Sequence, residues 1–240
     1  MVLKYVVAIG GYESEEGGAL DTPIEIDKRI LELSGVSSPK VLFIPTASTD
    51  SEKYIGKIRK IYAETLDCDF DVLLLHSSDT EKNMIEEKLA LADVIYVGGG
   101  NTMMMIKLWK ELGVDKLLKK AYEAGAILCG VSAGSICWFE YGISDSLQFY
   151  DEDSNEYIRV DGIGILDGPN SPHYGSELWD KGFRTKGTKK IMKEFGDRCL
   201  CVPDGGAVVF KNEKVFESLG ESSFYGCWEG DDWVEQNIEV

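Results

Sequence analysis

The first 136 residues are built from short runs of consecutive apolar residues. Four of these runs are closed by glycine or proline, and most are followed by a segment with helical spacing. Tyr5 to Ile9 ends at Gly10-Gly11, Val41-Leu42-Phe43-Ile44 at Pro45, and Val94-Ile95-Tyr96-Val97 at Gly98-Gly99-Gly100. Ala126 to Cys129 runs into Gly130. Strands that do not alternate with polar residues must be covered on both faces, so they imply a parallel sheet between two helical layers. Helices are predicted over Ile24 to Leu33, Ser51 to Leu66, Thr80 to Leu91 (with Thr80 as N-cap), Thr102 to Glu111 and Lys116 to Ala124, and a further strand over Phe70 to Leu75. The fold class is α/β, a three-layer sandwich around a mostly parallel sheet. Its ligands are expected beyond the carboxyl ends of the strands.

After Phe139 the pattern changes. Residues 144–162 are rich in Ser, Asp, Asn and Tyr, and from Leu200 onward the strand-like runs are short. Asn212-Glu213 fits a hairpin turn between Ala207-Val208-Val209-Phe210 and Lys214-Val215-Phe216. Antiparallel strands at the sheet edge are expected toward the C-terminus, within a single domain spanning 1–240. A formal charge of -17 repels phosphate backbones and anionic membrane surfaces, so neither nucleic acid nor membrane is an expected partner. No signal peptide and no run long enough to span a bilayer is evident, which predicts a cytoplasmic protein, monomeric or homodimeric. Cys68, Cys129, Cys137, Cys199, Cys201 and Cys227 read as reduced and mostly buried thiols. His76 and His173 belong to no ligand-spaced cluster, so no metal is expected.

The run from Ala126 ends in Gly130-Val131-Ser132-Ala133-Gly134 and passes straight into a helix-compatible segment. Gly-x-Ser-x-Gly between strand and helix is the form of a nucleophile elbow. A serine hydroxyl needs a base, and histidine has the suitable pKa of about 6.5. His173, in Asp167-Gly168-Pro169-Asn170-Ser171-Pro172-His173, is favoured because two prolines stiffen the approach to it; His76 reads as a strand-end residue with no partner. Among the acids between Ser132 and His173, Asp145 is the first candidate to orient the imidazole, and Glu140 the second. Acyl transfer also needs backbone N–H donors for the developing oxyanion. Ala133 supplies one by position, and the turn at Gly98 to Gly100 a second.

Val97-Gly98-Gly99-Gly100-Asn101-Thr102, Gly130-Val131-Ser132-Ala133-Gly134 and Pro172-His173-Tyr174, in this order, resemble the aspartyl dipeptidase (dipeptidase E) and cyanophycinase family of serine peptidases. The likeness runs from about Tyr5 to Phe210. It implies a flavodoxin-like fold of the class I glutamine amidotransferase type. It also implies Ser132 as nucleophile, His173 as base, Asp145 as the acidic member, and Gly100 and Ala133 as oxyanion amides. The dipeptidase holds an N-terminal aspartate through an arginine after the histidine; Gly187 falls at that point here. Arg184 and Lys186 stand nearby as candidate substrate-binding cations, with Lys189 and Lys190 beyond them, although all four also fit the wet face of a helix running to Phe195.

These readings converge on a cofactor-free serine peptidase acting on short peptides, including acidic ones such as Asp-X, through an acyl-enzyme. An α/β-hydrolase esterase is the alternative enzyme, disfavoured by the short stretch between Ser132 and His173. A non-catalytic binding module on the same fold is the alternative outside catalysis.

Overall fold

A computed structural model describes residues 2–11, 24–176, 182–196 and 198–239. Its first sheet follows the order expected of a doubly covered parallel core. Strands β1 (Tyr5–Ile9), β2 (Lys40–Ile44), β3 (Asp69–Val72), β4 (Val94–Val97) and β5 (Ile127–Val131) pair in parallel as β1-β5-β4-β2-β3. The helices between them are α1 (Ile24–Ser34), α2 (Glu52–Arg59), α3 (Lys82–Leu91), α4 (Thr102–Leu112) and α5 (Val114–Ala124). Ser51 caps α2 by accepting from the Tyr54 amide, and Asn101 caps α4 by accepting from the Met104 amide. Thr80 does not cap α3. Its hydroxyl donates to Leu74 O, and the helix begins two residues later.

Both faces of the central strands are buried. On β1, Val6 and Ala8 enter one apolar layer with Trp109 and Trp138, while Tyr5, Val7 and Ile9 enter the other with Phe43, Tyr62 and Tyr96. This two-sided burial is why the strands read as unbroken apolar runs. The second layer contains one ionisable intruder. Asp27 of α1 is 1% exposed; its Oδ1 accepts from the Tyr62 hydroxyl at 2.7 Å, and its Oδ2 has no hydrogen-bond partner among the described residues. Burial, with the neighbouring charge of Glu25, pushes this carboxyl from 3.8 to about 7 against the opposing pull of Tyr62. The raised value makes the folded state bind the proton more tightly. The associated stability is therefore fully present below the unfolded value and lost as pH rises through about 7. Asp27→Asn keeps an acceptor for Tyr62 and removes that slope. It is expected to stabilise the protein at pH 8 by about 2–3 kcal/mol, with little change at pH 4, read by urea unfolding at both values.

The second half of the chain departs from expectation. The antiparallel strands are present, but they do not all add to the first sheet. Only β10 (Gly206–Lys211) and β11 (Lys214–Gly220) do so, alongside β1, joined by the hairpin at Asn212 and Glu213, both with positive φ. The others form a second, six-stranded sheet ordered β13-β12-β9-β8-β6-β7. Its members are β6 (Phe139–Ser144), β7 (Ile158–Asp161), β8 (Leu166–Pro172), β9 (Cys199–Val202), β12 (Phe224–Glu229) and β13 (Asp232–Asn237). Strands β6, β8 and β9 run parallel. Helix α7 (Phe183–Phe195) is tied to β8 through Thr188 and Ser171, whose hydroxyls lie 2.7 Å apart. The six thiols are free, and all but Cys227 are buried. Among the described residues no helix is long and apolar enough to cross a membrane, and no cluster of metal-ligating side chains occurs.

Candidate active site

The Gly-x-Ser-x-Gly motif forms the sharp turn its spacing predicts. Strand β5 ends at Val131, Ser132 takes φ 56° and ψ -115°, and the one-turn helix α6 (Ala133–Ile136) starts at once. That backbone conformation is sparsely populated for a residue with a Cβ. A side chain at Gly134 would run into the carbonyl of Val97, so the turn packs directly on β4. The Ser132 amide donates to Ile9 O at the end of β1, which fixes the elbow against its neighbouring strand.

Parallel pairing brings His173 and Asp204 together. Pro172 of β8 lies opposite Val202 of β9, so the segments leaving both strands start side by side. His173 follows Pro172 immediately, with φ 56°, and Asp204 follows Val202 by two residues. The imidazole Nδ1 and Asp204 Oδ1 are 2.5 Å apart. Burial alone would push the Asp204 carboxyl up. The hydrogen bond and charge of His173, with smaller contributions from Ser176 and Arg184, outweigh it and hold the carboxyl below its ordinary value. In the neutral ring, an ionised Asp204 selects the tautomer with the proton on Nδ1 and the lone pair on Nε2.

The two sheets meet at this point. Gly11 bridges Asp204 in parallel, and Gly205 N–H donates to Gly11 O at 2.9 Å. A Cβ built on Gly11 would strike both the His173 ring and the Asp204 carboxylate. Ile9, two residues earlier, receives the Ser132 amide. The end of β1 is therefore flanked by the elbow serine on one side and the His173–Asp204 pair on the other. Among the described residues neither Ser132 Oγ nor His173 Nε2 has a hydrogen-bond partner, as is common in sites without substrate.

The glycine turn after β4 lies beside the serine. A side chain at Gly99 would sit 3.2 Å from Ser132 Cβ and 3.7 Å from its Oγ. Three of the four amides in the turn are occupied: Gly98 N–H by Ile44 O, Gly99 N–H by the Tyr54 hydroxyl, and Asn101 N–H by Ala47 O. Gly100 N–H is left without an acceptor among the described residues, as is Ala133 N–H at the start of α6. Gly100 also has φ 135°, and a Cβ there would meet the Ala47 carbonyl, so only glycine fits. The two amides expected to cradle an oxyanion are the two that remain open.

Asp145 is a correction. It does not reach His173. Its carboxylate accepts from Arg184 Nη2 at 3.1 Å, while Arg184 Nη1 donates to Ile143 O. Arg184, 3% exposed, is a buried cation that needs this partner, and the place on Nδ1 is filled by Asp204. Glu140 is also elsewhere, accepting from the Gly168 amide. Arg184 is thus engaged within the fold, and exposed Lys186 lies over the Phe183 ring. His76 does have a partner, since its Nε2 lies 3.1 Å from Thr46 O. Asp204 follows His173 in the chain, outside the stretch between Ser132 and His173 that supplies the sequence candidates. Its signal was Val202-Pro203-Asp204-Gly205-Gly206, another apolar run closed by proline and glycine.

The sequence profile of peptidase family S51 matches residues 9–218. YgaJ, an uncharacterized peptidase of Bacillus subtilis (strain 168), is 35% identical over 226 residues, covering 92% of this chain and 89% of that protein. A peptidase E of Shewanella denitrificans is 32% identical over 101 residues, covering 41% of this chain and 40% of its own. In fold, a peptidase from an acI-B1 Actinobacterium superposes with a TM-score of 0.69 at 17% identity, covering 99% of this chain and 96% of that one. The match of one profile to nearly the whole two-sheet core, together with a relative aligned almost end to end, leads to one conclusion: this chain belongs to peptidase family S51.

Proposed function

We propose that this peptidase is a serine hydrolase of short peptides, with Ser132 as nucleophile, His173 as base and Asp204 as the residue that orients it. The observation that supports the reading is that one strand end touches both groups: Ile9 O of β1 accepts the Ser132 amide, and Gly11, two residues on, lies against the His173 ring and the Asp204 carboxylate. Ser132 Oγ attacks the scissile carbonyl carbon as His173 Nε2 takes its proton. Gly100 and Ala133 N–H stabilise the resulting oxyanion. The imidazolium then protonates the leaving amine, the C–N bond breaks, and an ester remains on Ser132. Water, deprotonated by His173, attacks that ester, and the serine leaves with the returned proton. Asp204 stays ionised throughout and stabilises the imidazolium.

Strict Asp-X selectivity is not part of the proposal, because the Arg184 charge is already balanced by Asp145. The test pairs a fluorophosphonate probe with a panel of dipeptides (Asp-Ala, Glu-Ala, Ala-Ala, Lys-Ala) and p-nitrophenyl acetate. The expected result is labelling that maps to the peptide bearing Ser132, together with turnover of dipeptides. Ester turnover with no dipeptide cleavage would instead indicate an esterase, and neither labelling nor turnover would indicate a binding module.

A further inference from the structure

The oxyanion turn has a support that the triad chemistry does not use. Tyr54 sits in the first turn of α2, and its hydroxyl oxygen accepts the Gly99 N–H at 3.3 Å. Its ring is held edge-on against Phe43 of β2 with centroids 5.3 Å apart. The ring also packs under the turn: a side chain at Gly98 would lie 2.8 Å from Tyr54 Cε1. The phenol stays protonated across the working range, since burial pushes it up to about 12, with the charge of Asp27 adding to that and the Gly99 N–H opposing it. Its oxygen is therefore a fixed neutral acceptor.

The orientation of one peptide constrains the next. Gly98, Gly99 and Gly100 are three residues with little intrinsic preference, so the turn can hold an amide toward Ser132 only if its neighbours are pinned. Gly98 N–H is pinned by Ile44 O and Asn101 N–H by Ala47 O. Between them, the Gly99 amide has a side chain as its acceptor, and that side chain is Tyr54. Resting on the serine hydrolase reading above, we propose that Tyr54 is a positioning residue for the oxyanion hole: by holding the Gly99 N–H it turns the next amide, Gly100 N–H, toward the tetrahedral oxygen above Ser132. Among the described residues no hydrogen bond joins Tyr54 to Ser132 or His173.

The experiment is Tyr54→Phe, which keeps the ring against Phe43 and deletes only the acceptor. On the best dipeptide of the wild-type panel, kcat is expected to fall about 10- to 100-fold, a fraction of the loss from removing an oxyanion donor outright. KM is expected to stay within about twofold, because the donor acts on the transition state. Fluorophosphonate labelling of Ser132 slows by a comparable factor, since the phosphoryl oxygen enters the same hole. The acid limb of the pH–rate profile stays in place, because His173 and Asp204 are untouched. A variant whose kcat is within twofold of wild type, or whose loss lies in KM alone, overturns the assignment. So does one in which the acid limb moves. Wild-type turnover in the same assay separates the two readings: if the wild type neither cleaves nor labels, the peptidase mechanism fails, whereas an active wild type with an unimpaired Tyr54→Phe sinks only the role of Tyr54.

Discussion

Ser132→Ala is expected to lower dipeptide hydrolysis by about a millionfold, close to the background left by binding and the oxyanion amides alone. The hydroxyl is the only group that this substitution removes from the end of β5. Among the described residues it makes no hydrogen bond, so no such contact is lost with it. Stability should separate from activity here. Alanine at φ 56° and ψ -115° is as strained as serine, so Ser132→Ala melts within a degree or two of wild type. Ser132→Gly relieves a strain of about 1–3 kcal/mol, against about 0.5–1 kcal/mol of added freedom in the unfolded chain. It is expected to be inactive and more stable by about 1 kcal/mol in denaturant titration. Residual hydrolysis within a hundredfold of wild type in Ser132→Ala would refute the mechanism.

Asp204→Asn is expected to cost about four orders of magnitude in kcat. An amide in place of the carboxylate offers a donor as well as an acceptor to Nδ1, which permits the wrong imidazole tautomer and leaves the imidazolium without a counter-charge. Asp145→Asn is the companion measurement. It weakens the partner of Arg184, a cation only 3% exposed, while the lost carboxylate is itself 30% exposed and solvated. That asymmetry predicts a destabilisation of about 1–3 kcal/mol, below the cost of breaking a fully buried pair. The kcat of Asp145→Asn should stay within about threefold of wild type at temperatures where it remains folded. The opposite ranking, with Asp145→Asn inactive and Asp204→Asn near normal, would overturn the assignment of the acid. Steady-state kinetics on both variants, with melting curves, decide it.

The contrast between the two halves of the chain has a physical origin. Strands β1, β2, β4 and β5 are covered on both faces, so burial wrote them as apolar runs, and the turns that follow β4 and β5 were visible as glycine clusters. The elbow at Ser132 and Ala133 and the glycine turn at 98–100 are legible for that reason, while the choice of Gly100 within that turn rests on the family resemblance. Strand β8 reads Leu166-Asp167-Gly168-Pro169-Asn170-Ser171-Pro172, with two prolines in a strand paired on both sides. Such a segment argues against a central strand by every local rule. Its place is held by non-local contacts, including Asn170 Nδ2 donating to Ser135 Oγ at 2.7 Å. With β8 read as a loop, the parallel pairing with β9 could not be foreseen, and Asp204 could not be set beside His173. Asp145 was plausible in sequence order, but no spacing rule encodes the Arg184 that claims it.

The seam between the sheets gives the protein an unusual kind of dependence. The proposed reactive groups are divided between two layers of backbone: the alcohol and the two amides ride on one, the imidazole and its carboxylate on the other, and Gly11 with Asp204 forms the stitch. On the proposed mechanism, catalytic competence belongs to the join rather than to either half, because the spacing of alcohol and imidazole is set there and not by the ladder within either sheet.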